Sequence, residues 1–373
     1  MADFEYYQKI DGTSDDEFDA RVGIMQSIRD HSWKRMYLKE FHWIWGSDGW
    51  MGNRQGRTHE TIRLLLRSLF TTHASLPALE WLDIDLQSDH VSEFNLIDII
   101  ILRGLPTALP SLKKLCLCKC LHEEEVVRPD VLKEFFECMQ TPLESLSLSN
   151  VYWMSDDHVE AFMPVVGQHL IRLELVSCKD FSDGHESIDW DHIAMNVTAL
   201  TDRSALAIAQ HCTKLESFSF VDSDITTSGL QSVISNNPKI TTLNLSKNVR
   251  LGDNTVDLLS RFLPKLKELR NYWAKSNWLN DDSLISLINA QEKQNGSVCL
   301  NLIGLYNYPS QTFPQTIRGL EYVIKKGVKV IEIDKRTYNG VAKLESDYDV
   351  KFWQAKYVHY MDGSRYERVP VRR

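Results

Sequence analysis

The sequence predicts an α/β solenoid, a leucine-rich-repeat horseshoe with parallel strands on the concave face and helices on the convex face. Three observations predict it. An L-x-x-L-x-L pattern of apolar residues recurs along the chain. Most units lie 25 to 33 residues apart, the length of one strand and one helix. Turn and capping residues punctuate the segments between them.

The strands come first in the argument. Leu79, Leu82 and Ile84 make the first clear unit, followed by Leu112/Leu115/Leu117, Leu143/Leu146/Leu148 and Leu170/Leu173/Leu175. Leu215/Phe218/Phe220 and Ile240/Leu243/Leu245 continue the series. Leu266 and Leu269 follow, with Asn271 in the third place. Val298 stands slightly out of phase before Leu300 and Leu302, and Val328/Ile331/Ile333 restores the pattern. Leu38/Phe41/Trp43 reads as a weaker first unit. The central positions are therefore 41, 82, 115, 146, 173, 218, 243, 269, 300 and 331. One L-x-L match would be noise, but this many in order define a repeat. Period-two apolar residues make a short strand with one buried face.

Helices must then cover that face. They are expected at 58–70, 91–104, 128–139, 156–167, 202–211, 227–235, 253–262, 281–290 and 316–326. The small residues Ala205, Ala207 and Ala209 would let one helix lie close to the sheet. Polar groups precede several helices, as in Ser155-Asp156-Asp157, Thr226-Thr227, Gly252-Asp253-Asn254 and Asn280-Asp281-Asp282. Their oxygens suit helix caps, and that placement argues against a catalytic reading of the aspartates. Pro110, Pro238 and Pro264 stand just before strands, where helices must stop.

Composition narrows the function. The 373 residues are 43% hydrophobic, enough for an extensive core. With 42 basic and 51 acidic residues the net charge is -9, which disfavours nucleic acid and anionic membrane as partners. No apolar run is long enough for a membrane span, and the first residues do not read as a signal peptide. Seven cysteines, an odd number in a large chain, fit free thiols and a cytoplasmic or nuclear setting. No P-loop, nucleophile elbow or metalloprotease motif is present, so no enzyme activity and no cofactor are expected.

Four segments follow: an acidic flexible N-terminus at 1–20, an N-terminal cap with the atypical first repeat at 21–75, the repeat domain at 76–340, and a C-terminal cap with basic tail at 341–373. Trp33, Tyr37, Phe41, Trp43, Trp45 and Trp50 would shield the first strand, which lacks one neighbour. At the other end, 341–360 is expected to close the array and 361–373 to be flexible. The widest spacing holds a polar insert at 179–196. Its His185, Asp189 and His192 lack a metal-ligand spacing and read as a solvated or partner-binding loop. Cys116, Cys118 and Cys120 alternate along one strand, which does not form a tetrahedral zinc site; oxidation of exposed thiols is the expected hazard there.

The run Cys212, Leu215, Phe218 and Phe220, followed by Ile225, Thr226, Thr227, Gly229 and Leu230, resembles the cysteine-containing repeat of F-box/LRR proteins. Cys178 after Leu175, Cys120 after Leu117 and Asn248 after Leu245 stand where that family has its internal Cys or Asn. The resemblance spans roughly 76–335 and implies a ribonuclease-inhibitor-like solenoid that selects a protein for ubiquitylation. In that family an F-box docks a Skp-type adaptor of a cullin ligase. Residues 1–75 carry no recognisable F-box, because the Leu-Pro opening is absent. A protein-binding receptor or scaffold is the leading expectation, with a ligase receptor, a structural subunit of a larger multiprotein complex or an enzyme regulator as alternatives.

In such strands the residues between the buried ones face the concave side. The middle outward position reads His42, Asp83, Cys116, Ser147, Glu174, Ser219, Asn244, Arg270, Asn301 and Glu332, and Asp85 and Tyr272 belong to the next. The candidate protein-binding residues are Asp83, Asp85, Glu174, Asn244, Arg270, Tyr272, Trp273, Trp278, Asn301 and Tyr306. Arg, Tyr and Trp concentrate near Arg270, the residue types that carry binding energy at interfaces.

Overall fold

The computed structural model describes residues 23, 25–28, 30–45, 64, 66–70, 76–86, 99–118, 128–149, 151, 154–176, 200–248, 250–252, 254–271, 279–305, 317–328, 331–333, 352–360 and 363–370. The chain divides into two compact units, Met1–Glu174 with Cys178–Thr198, and Leu175–Ser177 with Ala199–Arg373.

The first unit holds β1 (Glu40–Trp45), β2 (Trp81–Leu86), β3 (Lys114–Cys118), β4 (Ser145–Ser149) and the start of β5 (Arg172–Val176). Phe41, Leu82, Leu115 and Leu146 lie opposite one another in parallel register. The entry to each strand repeats one backbone device. The amides of Glu144 and Ser145 both donate to the Lys113 carbonyl, at 2.8 and 3.1 Å, and those of Ile171 and Arg172 to Glu144, at 2.8 and 3.0 Å. Leu82, Ile84, Leu115, Leu117, Leu146 and Leu148 are buried, while the residues between them reach the other face. Period-two patterning thus places one apolar row under the sheet and one polar row on it.

Helix α1 (Ser32–Tyr37) precedes β1, and α2 (Ile99–Ala108), α3 (Pro129–Glu137) and α4 (Asp156–Val166) alternate with the strands from β2 to β5. Phe136 of α3 packs on Phe162 of α4, ring centroids 5.2 Å apart. α2 runs on to Ala108, past the expected end at 104, and it contains Pro106. An interior proline removes one helical hydrogen bond. Here the buried row Leu102, Leu105, Ala108 and Leu109 runs through it, and burial outweighs that loss.

The second unit holds β6 (Ser217–Val221), β7 (Thr242–Asn244), β8 (Glu268–Arg270), β9 (Asn301–Leu305) and β10 (Ile331–Ile333), again parallel and in chain order. Its helices are α5 (Asp202–His211), α6 (Thr227–Asn236), α7 (Asn254–Phe262), α8 (Asp281–Asn295) and α9 (Ile317–Lys325). Both units therefore show the α/β solenoid expected of leucine-rich repeats. β11 (Phe352–Tyr360) adds in parallel to β10 and pairs antiparallel with β12 (Gly363–Pro370). Part of the expected flexible tail is thus a strand. Aromatic residues favour strands, and the Asp-Gly pair at 362–363 is a hairpin signal.

Buried amides tie the repeats of the second unit together. Asn237 donates to the carbonyls of Cys212 and Val233, both at 2.9 Å, and accepts from the Leu215 amide at 3.0 Å. Asn248 donates to Phe220 and Leu245 and accepts from the Ser223 amide and hydroxyl. Gln291 donates to the Leu266 carbonyl at 2.6 Å and accepts from the Cys299 amide. That inward glutamine belongs to α8, which runs to Asn295 rather than stopping at 290; Gly296 ends it at φ +72. Left-handed backbone there favours glycine.

The caps fall on the residue just before each helix. Thr226 accepts from Ser228 and Gly229, and Asn280 from Ser283 at 2.9 Å. Asp202 instead reaches the next repeat, accepting from the Thr226 amide at 2.8 Å and its hydroxyl at 2.7 Å. Gly229 makes room for this contact, since a Cβ there would meet Asp202 Oδ1 at 2.1 Å.

Candidate protein-binding face

The outward row of the first unit is His42, Asp83, Cys116, Ser147 and Glu174, with the first four in parallel register. Its polar groups largely satisfy one another. His42 meets Asp83 through Nδ1 at 3.2 Å and Glu40 through Nε2 at 3.4 Å. The Ser147 hydroxyl donates to Glu174 at 3.1 Å. Carboxylates at both ring nitrogens favour the imidazolium, so the His42 pKa is raised, the Asp83 hydrogen bond being the largest cause. Burial first, and then the nearby Asp83 charge, push the Cys116 thiol well up. That correction matters for the exposed-thiol expectation: a thiol held protonated is a poor nucleophile. Burial likewise pushes Cys212 up to about 12.

Trp81 stands one position before this row. The His42 ring meets it edge-on at 4.4 Å, and Lys114 Nζ lies 4.6 Å from its centroid. Trp81 lies outside the middle and following outward positions, from which the candidate residues come. The alternation itself could have found it, two residues before Asp83.

The second unit differs. Ser219, Asn244 and Arg270 lie opposite one another on β6, β7 and β8. The Ser219 hydroxyl is buried with no hydrogen-bond partner among the described residues. Asn244 Oδ1 accepts from the Ser246 amide at 3.2 Å and hydroxyl at 2.6 Å, which leaves its NH2 group without a partner among the described residues. Arg270 spends Nε on Glu268, at 2.5 Å, and its terminal nitrogens meet no acceptor among the described residues.

Register corrects one expected position. Asn301 lies opposite Glu268, and Ile303 lies opposite Arg270. Leu302, not Leu300, is the partner of Leu269. The apolar residues Val298, Leu300 and Leu302 allowed two phases, and hydrogen-bond pairing selects the later one. Asn301 is therefore still on the open face but one step from the Arg270 row. Asp85 stands on β2 opposite Cys118. Tyr272, Trp273, Trp278, Tyr306 and the insert at 179–196 lie outside the described residues. Asn271, the polar residue in a leucine position, is 2% exposed, and neither its amide oxygen nor its nitrogen has a partner among the described residues.

Among the described residues, no group of three His, Cys, Asp or Glu side chains is placed to hold a metal ion. None of their helices is long and apolar enough to cross a membrane.

No family model and no curated protein matches the chain. Among solved structures it is similar to the crystal structure of the yeast Rad7 and Elc1 complex, at 13% identity over 89% of this chain and 86% of that one, with a TM-score of 0.42. It is also similar to the leucine-rich repeat-containing protein LegL7 from Legionella pneumophila, at 13% identity over 80% of this chain and 100% of that one, with a TM-score of 0.28.

Proposed function

We propose that this chain is a non-enzymatic protein-binding receptor or scaffold that works through the outward face of its parallel strands and the flanking loops. The observation that supports this most is the row Ser219, Asn244 and Arg270, in which a hydroxyl, an amide NH2 group and the terminal guanidinium nitrogens stand on paired strands with no acceptor among the described residues. Side chains anchored on a sheet lose little freedom on binding, so such a row suits recognition. Free thiols in an odd number of cysteines fit work in the cytoplasm or nucleus.

Affinity purification of the full chain with cross-linking tests the reading. Cross-links from a partner to β6–β9 or the loops that follow them are expected. Partners contacting only the helices would overturn it.

A second reading rests on the repeat around Cys212, Leu215 and Phe218, which resembles that of F-box proteins. It makes the chain the substrate-recognition component of a cullin-type ubiquitin ligase. Direct binding of the folded full chain to a Skp-type adaptor is the measurement, and its absence removes this reading. Stoichiometric co-purification with a fixed set of subunits would instead indicate a structural role or regulation of an enzyme.

A further inference from the structure

The two outward rows differ in what they leave unused. In the first unit, Ser147 gives its proton to Glu174, and His42 bridges Glu40 to Asp83. In the second, three neighbouring strands hold a hydroxyl, an amide NH2 group and a guanidinium end with nothing to donate to among the described residues. Ser219 is the telling case. Phe218 and Phe220 on either side are fully buried in the core, so Ser219 points to the opposite face. Ser219 is only 8% exposed, yet its hydroxyl oxygen has no partner among the described residues. A buried polar group of this kind calls for a partner from elsewhere.

Arg270 sets the chemistry of that partner. Glu268 lies two residues before it on the same face and takes the Nε edge, which fixes the plane of the guanidinium. The two terminal nitrogens stay free to donate in parallel. A fork of this shape matches a carboxylate bidentately. Neighbouring strands stand about 4.8 Å apart, so the three side chains span about 10 Å, the length of about three residues of extended chain.

We infer that Ser219, Asn244 and Arg270 receive an extended acidic segment of a partner protein, with an Asp or Glu carboxylate seated on the Arg270 guanidinium. Asn244 and Ser219 then hold the adjoining main-chain carbonyls. This inference rests on the protein-binding reading and assigns its site and partner chemistry. Charge complementarity chooses the occupant: the row's one cation, Arg270, has its Nε edge on Glu268 and its terminal nitrogens open to an incoming carboxylate, whereas a basic segment would meet that cation and find the Glu268 carboxylate already engaged.

The probe is a random peptide library displayed on phage and selected on the full chain. Recovered peptides are expected to be enriched in Asp or Glu, and synthetic copies with Gln in that place should bind at least tenfold more weakly. Arg270→Gln should also weaken binding at least tenfold. Arg270→Lys, which keeps the charge but not the fork, should fall between. Ser219→Ala should weaken binding while leaving thermal stability unchanged or raised, an outcome a structural role would not produce. Recovery of basic or uncharged peptides, recovery of none, or binding indifferent to Arg270→Gln overturns the inference. A partner protein captured equally by wild type and Arg270→Gln would overturn this site and leave the receptor reading standing. Failure to capture any partner protein would sink the receptor reading as well.

Discussion

Both units pack on apolar cores, but the first carries a self-paired polar row, whereas the second adds buried amides and a row with spare donors. Phe136 and Phe162 join successive helices in the first. Asn237, Asn248 and Gln291 join successive repeats in the second. The difference teaches that buried amides can be added to one and the same apolar repeat core. It also shows that a polar outward row is not by itself a binding site: the first unit's row is largely occupied by its own hydrogen bonds.

The largest expected effect strikes the apolar core. Phe162→Ala should lower stability by about 4 kcal/mol, because it leaves a cavity where a fully buried ring stood. Urea unfolding measures this, and a loss under 1 kcal/mol would mean the helices of the first unit are not held by that contact. Asn248→Ala comes next. It strands the Ser223 amide and the Phe220 carbonyl, and the loss should be about 3 kcal/mol. If it proved as harmless as an exposed substitution, the amide ladder would not be what holds the second unit.

Two serines at equivalent outward positions give the sharpest contrast. Ser147→Ala removes a donor from the Glu174 carboxylate and should cost about 1 kcal/mol. Ser219→Ala removes a hydroxyl with no partner and should cost nothing or stabilise slightly. Equal losses would erase the distinction between the rows. A modest pH dependence is expected as well. The His42 pKa is raised in the folded chain, so its contribution is fully present below the ordinary value of 6.5. It is lost as pH rises from there through the folded value. Stability of the wild type should therefore decline over that range by well under 2 kcal/mol, and His42→Gln should flatten the decline.

Much of this architecture is legible in the residues. Leu82, Leu115 and Leu146 align as the repeat requires, because a strand hides every second side chain and the hidden ones must be apolar. Helix ends are less legible. Pro106 looks like a stop but lies within a helix whose buried face continues past it. Gln291 looks like the polar end of α8, yet it turns inward to bond a carbonyl of the preceding repeat. The site is legible in part. Asp83, Glu174, Asn244 and Arg270 all stand on the outward face as alternation predicts, but whether each is already partnered cannot be read from spacing.

The sequence by itself determined the solenoid, the order of its strands and the side of each strand that faces outward, because those follow from local periodicity. Only the tertiary structure decided the phase of β9, where Val298, Leu300 and Leu302 permit two alignments and pairing with Leu269 admits one. It also decided which outward groups are spent. Ser147 and Ser219 are identical in the repeat, and only the neighbour across the strand, Glu174 or Asn244, makes one a satisfied donor and leaves the other waiting.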